Sequence, residues 1–127
     1  MNYAESYSPL LLAYIGDAVF ELYVRQKLAT RQVLPRQQLH QQVTRIVRAS
    51  GQAAALRQLE GHLSAEEAAV VRRGRNTKSH VPKNAEMSAY RHATGFEALL
   101  GWLYLSKQTE RLYELLELIK IGEEEKR

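Results

Sequence analysis

The sequence predicts an all-α fold of about six helices in a single domain. Apolar residues recur at three- and four-residue spacing along most of the chain, helix-capping patterns punctuate those runs, and no stretch alternates polar and apolar residues as a half-buried strand does. A length of 127 residues, 45% hydrophobic and 25% charged, suits one globular domain. That domain is expected over residues 1–122, with a charged tail at 123–127.

Ser8 and Pro9 make an N-cap and first-turn pair, opening a helix through about Ala29. Pro35 starts a second helix, with Leu39, Val43, Ile46 and Val47 on one face. Ser50 caps a short third helix carrying Leu56 and Leu59. Ser64 with Glu67 forms a capping-box pattern for a helix that runs to about Arg73. Gly74 to Asn84 is polar, contains Pro82 and reads as a loop. A long apolar helix covers roughly Glu86 to Ser106, and Thr109 caps a last one, ended by Gly122.

Several function classes are excluded or disfavoured. There is no cysteine, so disulfides and thiolate metal sites are absent. The four histidines, at 40, 62, 80 and 92, share no i,i+3 or i,i+4 spacing that would suggest zinc. No glycine-rich loop follows a strand, so a nucleoside-triphosphate site has no support. Met1 to Ser8 lacks the basic start and apolar core of a secretory signal, and Asp17, Glu21 and Glu97 interrupt the apolar runs. The expectation is a cytoplasmic protein with no membrane partner.

Charge is segregated. Between Glu21 and Glu60 lie seven Lys or Arg residues and no acid. A second basic cluster comprises Arg72, Arg73, Arg75, Lys78, Lys83 and Arg91, opposed only by Glu86, while acids gather from Glu110 to Glu125. Such segregation suits a polyanion, because phosphate neutralisation by Lys and Arg drives nucleic-acid binding. Solvated helix faces account for the first cluster equally well.

Two acids stand out. Asp17 and Glu21 are the only charged residues in Leu10–Val24, and Glu97 is the only one in His92–Ser106. Helices apolar on nearly every face belong at the centre of a bundle, where an isolated carboxylate is expensive unless paired. Asp17 and Glu97 either sit at the bundle edge, pair with an arginine such as Arg91, or face each other. In the last case a divalent cation removes their repulsion, and Mg²⁺ takes such oxygen ligands. Gly16, Ala13 and Ala18 allow close approach of another helix, from the bundle or from a second copy.

The run Tyr14-Ile15-Gly16-Asp17-Ala18-Val19-Phe20-Glu21-Leu22 resembles the signature helix of the ribonuclease III family. Phe96-Glu97-Ala98-Leu99-Leu100-Gly101-Trp102-Leu103-Tyr104-Leu105 resembles its second acidic motif, in the same order and at a similar separation. The likeness spans essentially the whole chain as one catalytic domain and leaves no room for a double-stranded-RNA-binding domain. With Arg73-Gly74-Arg75-Asn76-Thr77-Lys78 and Thr94-Gly95-Phe96-Glu97-Ala98, it looks like the Mini-ribonuclease III branch.

The resemblance implies a Mg²⁺-dependent endoribonuclease acting on double-stranded RNA as a homodimer, with one strand cut in each site. It also implies 5′-phosphate and 3′-hydroxyl ends, a role in maturing the large-subunit (23S) ribosomal RNA precursor, and a ribosomal-protein helper. Asp17 and Glu97 carry over as catalytic residues and metal ligands. Acids that larger family members carry correspond here to Leu10, Ala13 and Thr94. Fewer direct ligands mean more water-mediated coordination and a requirement for roughly millimolar Mg²⁺. Glu21, one turn beyond Asp17, is an ordinary salt-bridging residue or an assistant through water.

Beside such a site, Arg72, Arg73, Arg75, Asn76, Lys78 and Lys83 are the RNA-binding candidates, reaching phosphates and 2′-hydroxyls of an A-form duplex. Ser79 is a further 2′-hydroxyl partner, and Arg25 or Arg31 help hold the backbone. Tyr14, Tyr90, Trp102 and Tyr104 are expected to pack, because duplex bases are not available to stack. Two rivals remain: a non-catalytic RNA-binding or ribosome-assembly protein on the same fold, and a basic helical DNA-binding module.

Overall fold

The computed structural model describes residues 6–77 and 86–121. Six α-helices and one 3₁₀ turn follow one another: α1 Pro9–Arg31, α2 Arg36–Val47, α3 Ala49–Leu59, the turn Glu60–His62, α4 Ala65–Asn76, α5 Met87–Leu105 and α6 Thr109–Leu118. No strand occurs among the described residues. The last helix ends at Leu118, where Ile119 turns extended and its N–H bonds back to Leu116 O, short of the end expected at Gly122. Gly122 itself and the tail at 123–127 lie outside the described residues.

Local chemistry sets the expected starts in two places. The Ser8 hydroxyl accepts from Leu11 N at 3.1 Å with Pro9 as the first helical residue, opening α1. The capping box at α4 is reciprocal: Ser64 Oγ accepts from Glu67 N at 3.1 Å, and Ser64 N donates to Glu67 Oε1 at 2.8 Å. Other boundaries differ from expectation. Ser50 does not cap α3; Arg48 alone, in extended conformation, separates α2 from α3. Thr109 is the first residue of α6 rather than its cap, after a turn in which Lys107 takes a left-handed φ of 62°. The loop expected from Gly74 begins later, since α4 continues through Asn76.

α5 is the axis of the molecule. From Ala93 to Leu103 every residue but Glu97 is buried, and α1, α3 and α4 pack around it. α1 is different from the fully central helix expected. One face, with Leu12, Phe20, Val24 and Leu28, is buried, while Leu11, Tyr14 and Leu22 are exposed. Two polar clamps fix α6 to this core. The Arg111 guanidinium grips buried Glu67 of α4 through Nε and Nη2, both at 2.8 Å, and also donates to His62 O. Those hydrogen bonds hold the Glu67 carboxyl below its ordinary range. Tyr23 Oη donates to Glu117 Oε2 at 2.5 Å, and Lys27 pairs with the same carboxylate at 3.0 Å.

Candidate active site

The two motif helices cross with their backbones in contact. A Cβ on Gly16 would lie 1.7 Å from the Glu97 carbonyl oxygen, and one on Gly101 would lie 1.9 Å from that of Leu12. Only glycine fits at either point. Of the small residues expected to admit a neighbour, Gly16 admits α5, Ala13 is buried, and Ala18 stays exposed. Next to the crossing, Phe20 and Phe96 meet edge to face with ring centroids 4.9 Å apart, closing the core beneath the acids.

Because Gly16 touches the Glu97 backbone, Asp17 and Glu97 come together at this crossing. Asp17 is exposed and Glu97 half-buried. Burial, and then the charge on Asp17, push the Glu97 carboxyl up to about 8. Without a cation the pair therefore favours a proton held between the Glu97 and Asp17 carboxyls over two full charges. The Gln52 amide, reaching Glu97 from α3, favours the charged form and only partly opposes that shift. Gln52 was not singled out from the sequence; its signal is its position on the apolar i, i+4, i+7 register of Leu56 and Leu59.

The remaining candidates fall into place around this pair. Arg91 is exposed and makes no ion pair among the described residues. Glu21 pairs with Arg25 along the helix, the ordinary role. Arg31 is engaged elsewhere, donating to Ile121 O at 2.9 Å. The three positions where larger family members carry acids offer no oxygen ligand: Leu10 is apolar and exposed, Ala13 is buried, and the Thr94 hydroxyl donates to Tyr90 O at 3.0 Å. Among the described residues no three His, Cys, Asp or Glu side chains gather as a metal-binding group. The set present is two hard carboxylates, which suits a hydrated Mg²⁺ and does not suit a softer ion. A shallow depression of about 480 Å³ runs along α1 beside Asp17, bordered by Tyr14, Ala18, Glu21, Leu22 and Arg25.

Arg72, Arg73 and Asn76 are exposed on the last turns of α4, and Arg75 is half-buried. Arg75 and Asn76 are thus held by a helix and not by a loop as expected. Lys78, Ser79 and Lys83 lie outside the described residues. Trp102 packs as expected, 1% exposed, and Tyr90 is half-buried. Tyr14 and Tyr104 instead face solvent, at 75% and 55% exposure. No helix among the described residues is long and apolar enough to cross a membrane.

The sequence matches the ribonuclease III domain family over residues 10–108, so the chain belongs to the ribonuclease III family. A Mini-ribonuclease 3 from a Thermoanaerobacter species is 51% identical over 114 residues, covering 89% of this chain and 80% of the relative. The Mini-ribonuclease 3 of Symbiobacterium thermophilum is 49% identical, covering 86% and 85%, and that of Enterococcus faecalis 44%, covering 90% of each. The chain thus falls in the Mini-ribonuclease III branch, whose members are endoribonucleases of the ribonuclease III type. A crystal structure of a Fusobacterium nucleatum protein matches the fold with a TM-score of 0.81 at 28% identity, covering 88% of this chain and 92% of that one.

Proposed function

We propose that this protein hydrolyses double-stranded RNA in a Mg²⁺-dependent reaction centred on Asp17 and Glu97. The observation that carries the reading is the meeting of these carboxyls in an otherwise apolar helix crossing, where burial and the charge on Asp17 push the Glu97 carboxyl upward. A pair so arranged disfavours its own ionisation and gains a purpose when a divalent cation is shared. When bound, the cation supplies positive charge to the phosphodiester and acidifies the attacking water. Asp17 orients from the solvent side. Glu97, once deprotonated, orients from the core side with its backbone fixed by Gly16.

Water adds to phosphorus, the bond to the 3′ oxygen breaks, and that oxygen takes up a proton. The products are a 5′-phosphate and a 3′-hydroxyl. With two direct carboxylates, half-maximal activity requires about millimolar Mg²⁺, and less as pH rises and Glu97 yields its proton more readily.

Arg72, Arg73, Arg75 and Asn76, with Lys78 and Lys83, contact the phosphates and 2′-hydroxyls of the duplex. The enzyme works as a homodimer in the cytoplasm, one site for each strand. The apolar stripe Leu11, Tyr14, Ile15, Ala18 and Leu22 on α1 supports this, since these residues fall within an arc of about 100° beside Asp17 and are exposed or half-exposed. The substrate is the large-subunit (23S) ribosomal RNA precursor, delivered with a ribosomal-protein helper. The absence of acids at Leu10, Ala13 and Thr94 favours a non-catalytic RNA-binding protein as the alternative.

Labelled RNA and DNA duplexes incubated with the protein in Mg²⁺ or EDTA separate these readings. Mg²⁺-dependent cutting of RNA duplex is expected. Binding without cutting in any divalent metal would establish the non-catalytic alternative, and preference for DNA would overturn both.

A further inference from the structure

Gln52 is 2% exposed and occupies a place on α3 that packing alone would give to leucine or methionine. Its Nε2 donates to the carbonyl oxygen of Val47, the last residue of α2, at 2.7 Å. A carbonyl only accepts, so this bond fixes which end of the amide faces α2. Gln52 Oε1 finds no hydrogen-bond partner among the described residues, and a buried polar atom left so calls for an explanation.

The residue is also held rigidly. Gln52 N donates to Arg48 O at 2.9 Å, and a Cβ on neighbouring Gly51 would lie 2.1 Å from Ile46 O, so the ends of α2 and α3 are in backbone contact. From that anchored corner the amide reaches Glu97 on α5.

We propose that Gln52 is a positioning residue for Glu97: anchored on the last carbonyl of α2, its amide holds the Glu97 carboxyl in the orientation that lets it share a cation with Asp17. The inference rests on the reading of this site as a cation-dependent nuclease. Glutamine at this point costs a buried, unpaired carbonyl that an apolar side chain of equal length would avoid. Orientation of Glu97 is what the amide provides in return. In a site with two carboxylates in place of a larger set, a misdirected Glu97 leaves only one ligand.

The test is Gln52→Met, which keeps the length of the side chain and removes the amide. For a variant that melts as a folded protein, kcat on an RNA duplex falls by about 10- to 100-fold, the range for lost ligand-orienting partners. KM for the duplex stays within about twofold, because the amide does not touch RNA, while half-maximal Mg²⁺ rises and the thermal shift produced by Mg²⁺ alone shrinks. A folded Gln52→Met protein with unchanged kcat and Mg²⁺ dependence would overturn the proposal and leave Gln52 a packing residue.

Should the variant not fold, the side-chain amide resonance of Gln52 in the otherwise unaltered protein decides. It is expected to move on Mg²⁺ titration and in Glu97→Gln; a resonance unmoved by both contradicts the proposal. If the unaltered protein cuts no duplex, the proposed function fails by itself, and the Mg²⁺-induced amide shift still decides for or against Gln52.

Discussion

Glu97 bears a conflict that its protein neighbours only partly relieve. Burial first, and then the charge on Asp17, push its carboxyl up to about 8 from an ordinary value of 4.5. A raised pKa means that the group contributes stability fully below about pH 4.5, and that this contribution is lost as pH climbs toward about 8. Replacing Glu97 by Gln removes the titration. The metal-free Glu97→Gln protein is therefore expected to gain in melting temperature over the unaltered protein as pH rises from about 4.5 to about 9. Thermal melts in EDTA at the two pH values check this, and a difference that does not change with pH would show that Glu97 is not strained. At this scale the sequence was informative about the acids, because a lone charge in an apolar helix is conspicuous. It was silent about their meeting, which depends on the contact between Gly16 and the Glu97 carbonyl. Gln52 was overlooked because a single glutamine among alanines looks like a surface residue until its register with Leu56 and Leu59 is counted.

Between elements, the α1–α5 crossing is the feature on which the site depends. Gly16→Ala places a methyl group where the Glu97 carbonyl stands, and the helices must separate to admit it. A loss of about 2 kcal/mol or more is expected in denaturant unfolding, together with reduced cleavage, since Asp17 is the adjacent residue. Native stability in this variant would mean that the helices do not touch there. The helix boundaries teach a related lesson. Gly74 reads as a breaker because its helix propensity is about 1 kcal/mol poorer than that of alanine, yet α4 passes through it. A Cβ there would lie 2.8 Å from Gly95 Cα on α5, so close packing outweighs propensity. Ser50 looked like a cap because a gap was expected between α2 and α3; one extended residue makes the bend instead. Capping chemistry that is purely local, at Ser8 and at Ser64 with Glu67, was fully legible.

For the whole molecule, periodicity identified an all-helical domain and its central α5, but could not say which apolar faces are covered within one copy. α1 leaves Leu11, Tyr14 and Leu22 in solvent, and we propose that a second copy covers them. Leu22→Glu is expected to shift the protein from dimer to monomer in sedimentation while each copy keeps its helical content; an unchanged dimer would place the interface elsewhere. The central claim is that Asp17 and Glu97 together make the cation-dependent centre that cuts duplex RNA. Its most direct test is the single-turnover rate on an RNA duplex in saturating Mg²⁺ for Asp17→Asn and Glu97→Gln, each first shown to be folded. The account predicts a fall of more than about 100-fold for either change, beyond what loss of an orienting partner produces, and cutting at near-normal rate by either variant would contradict it.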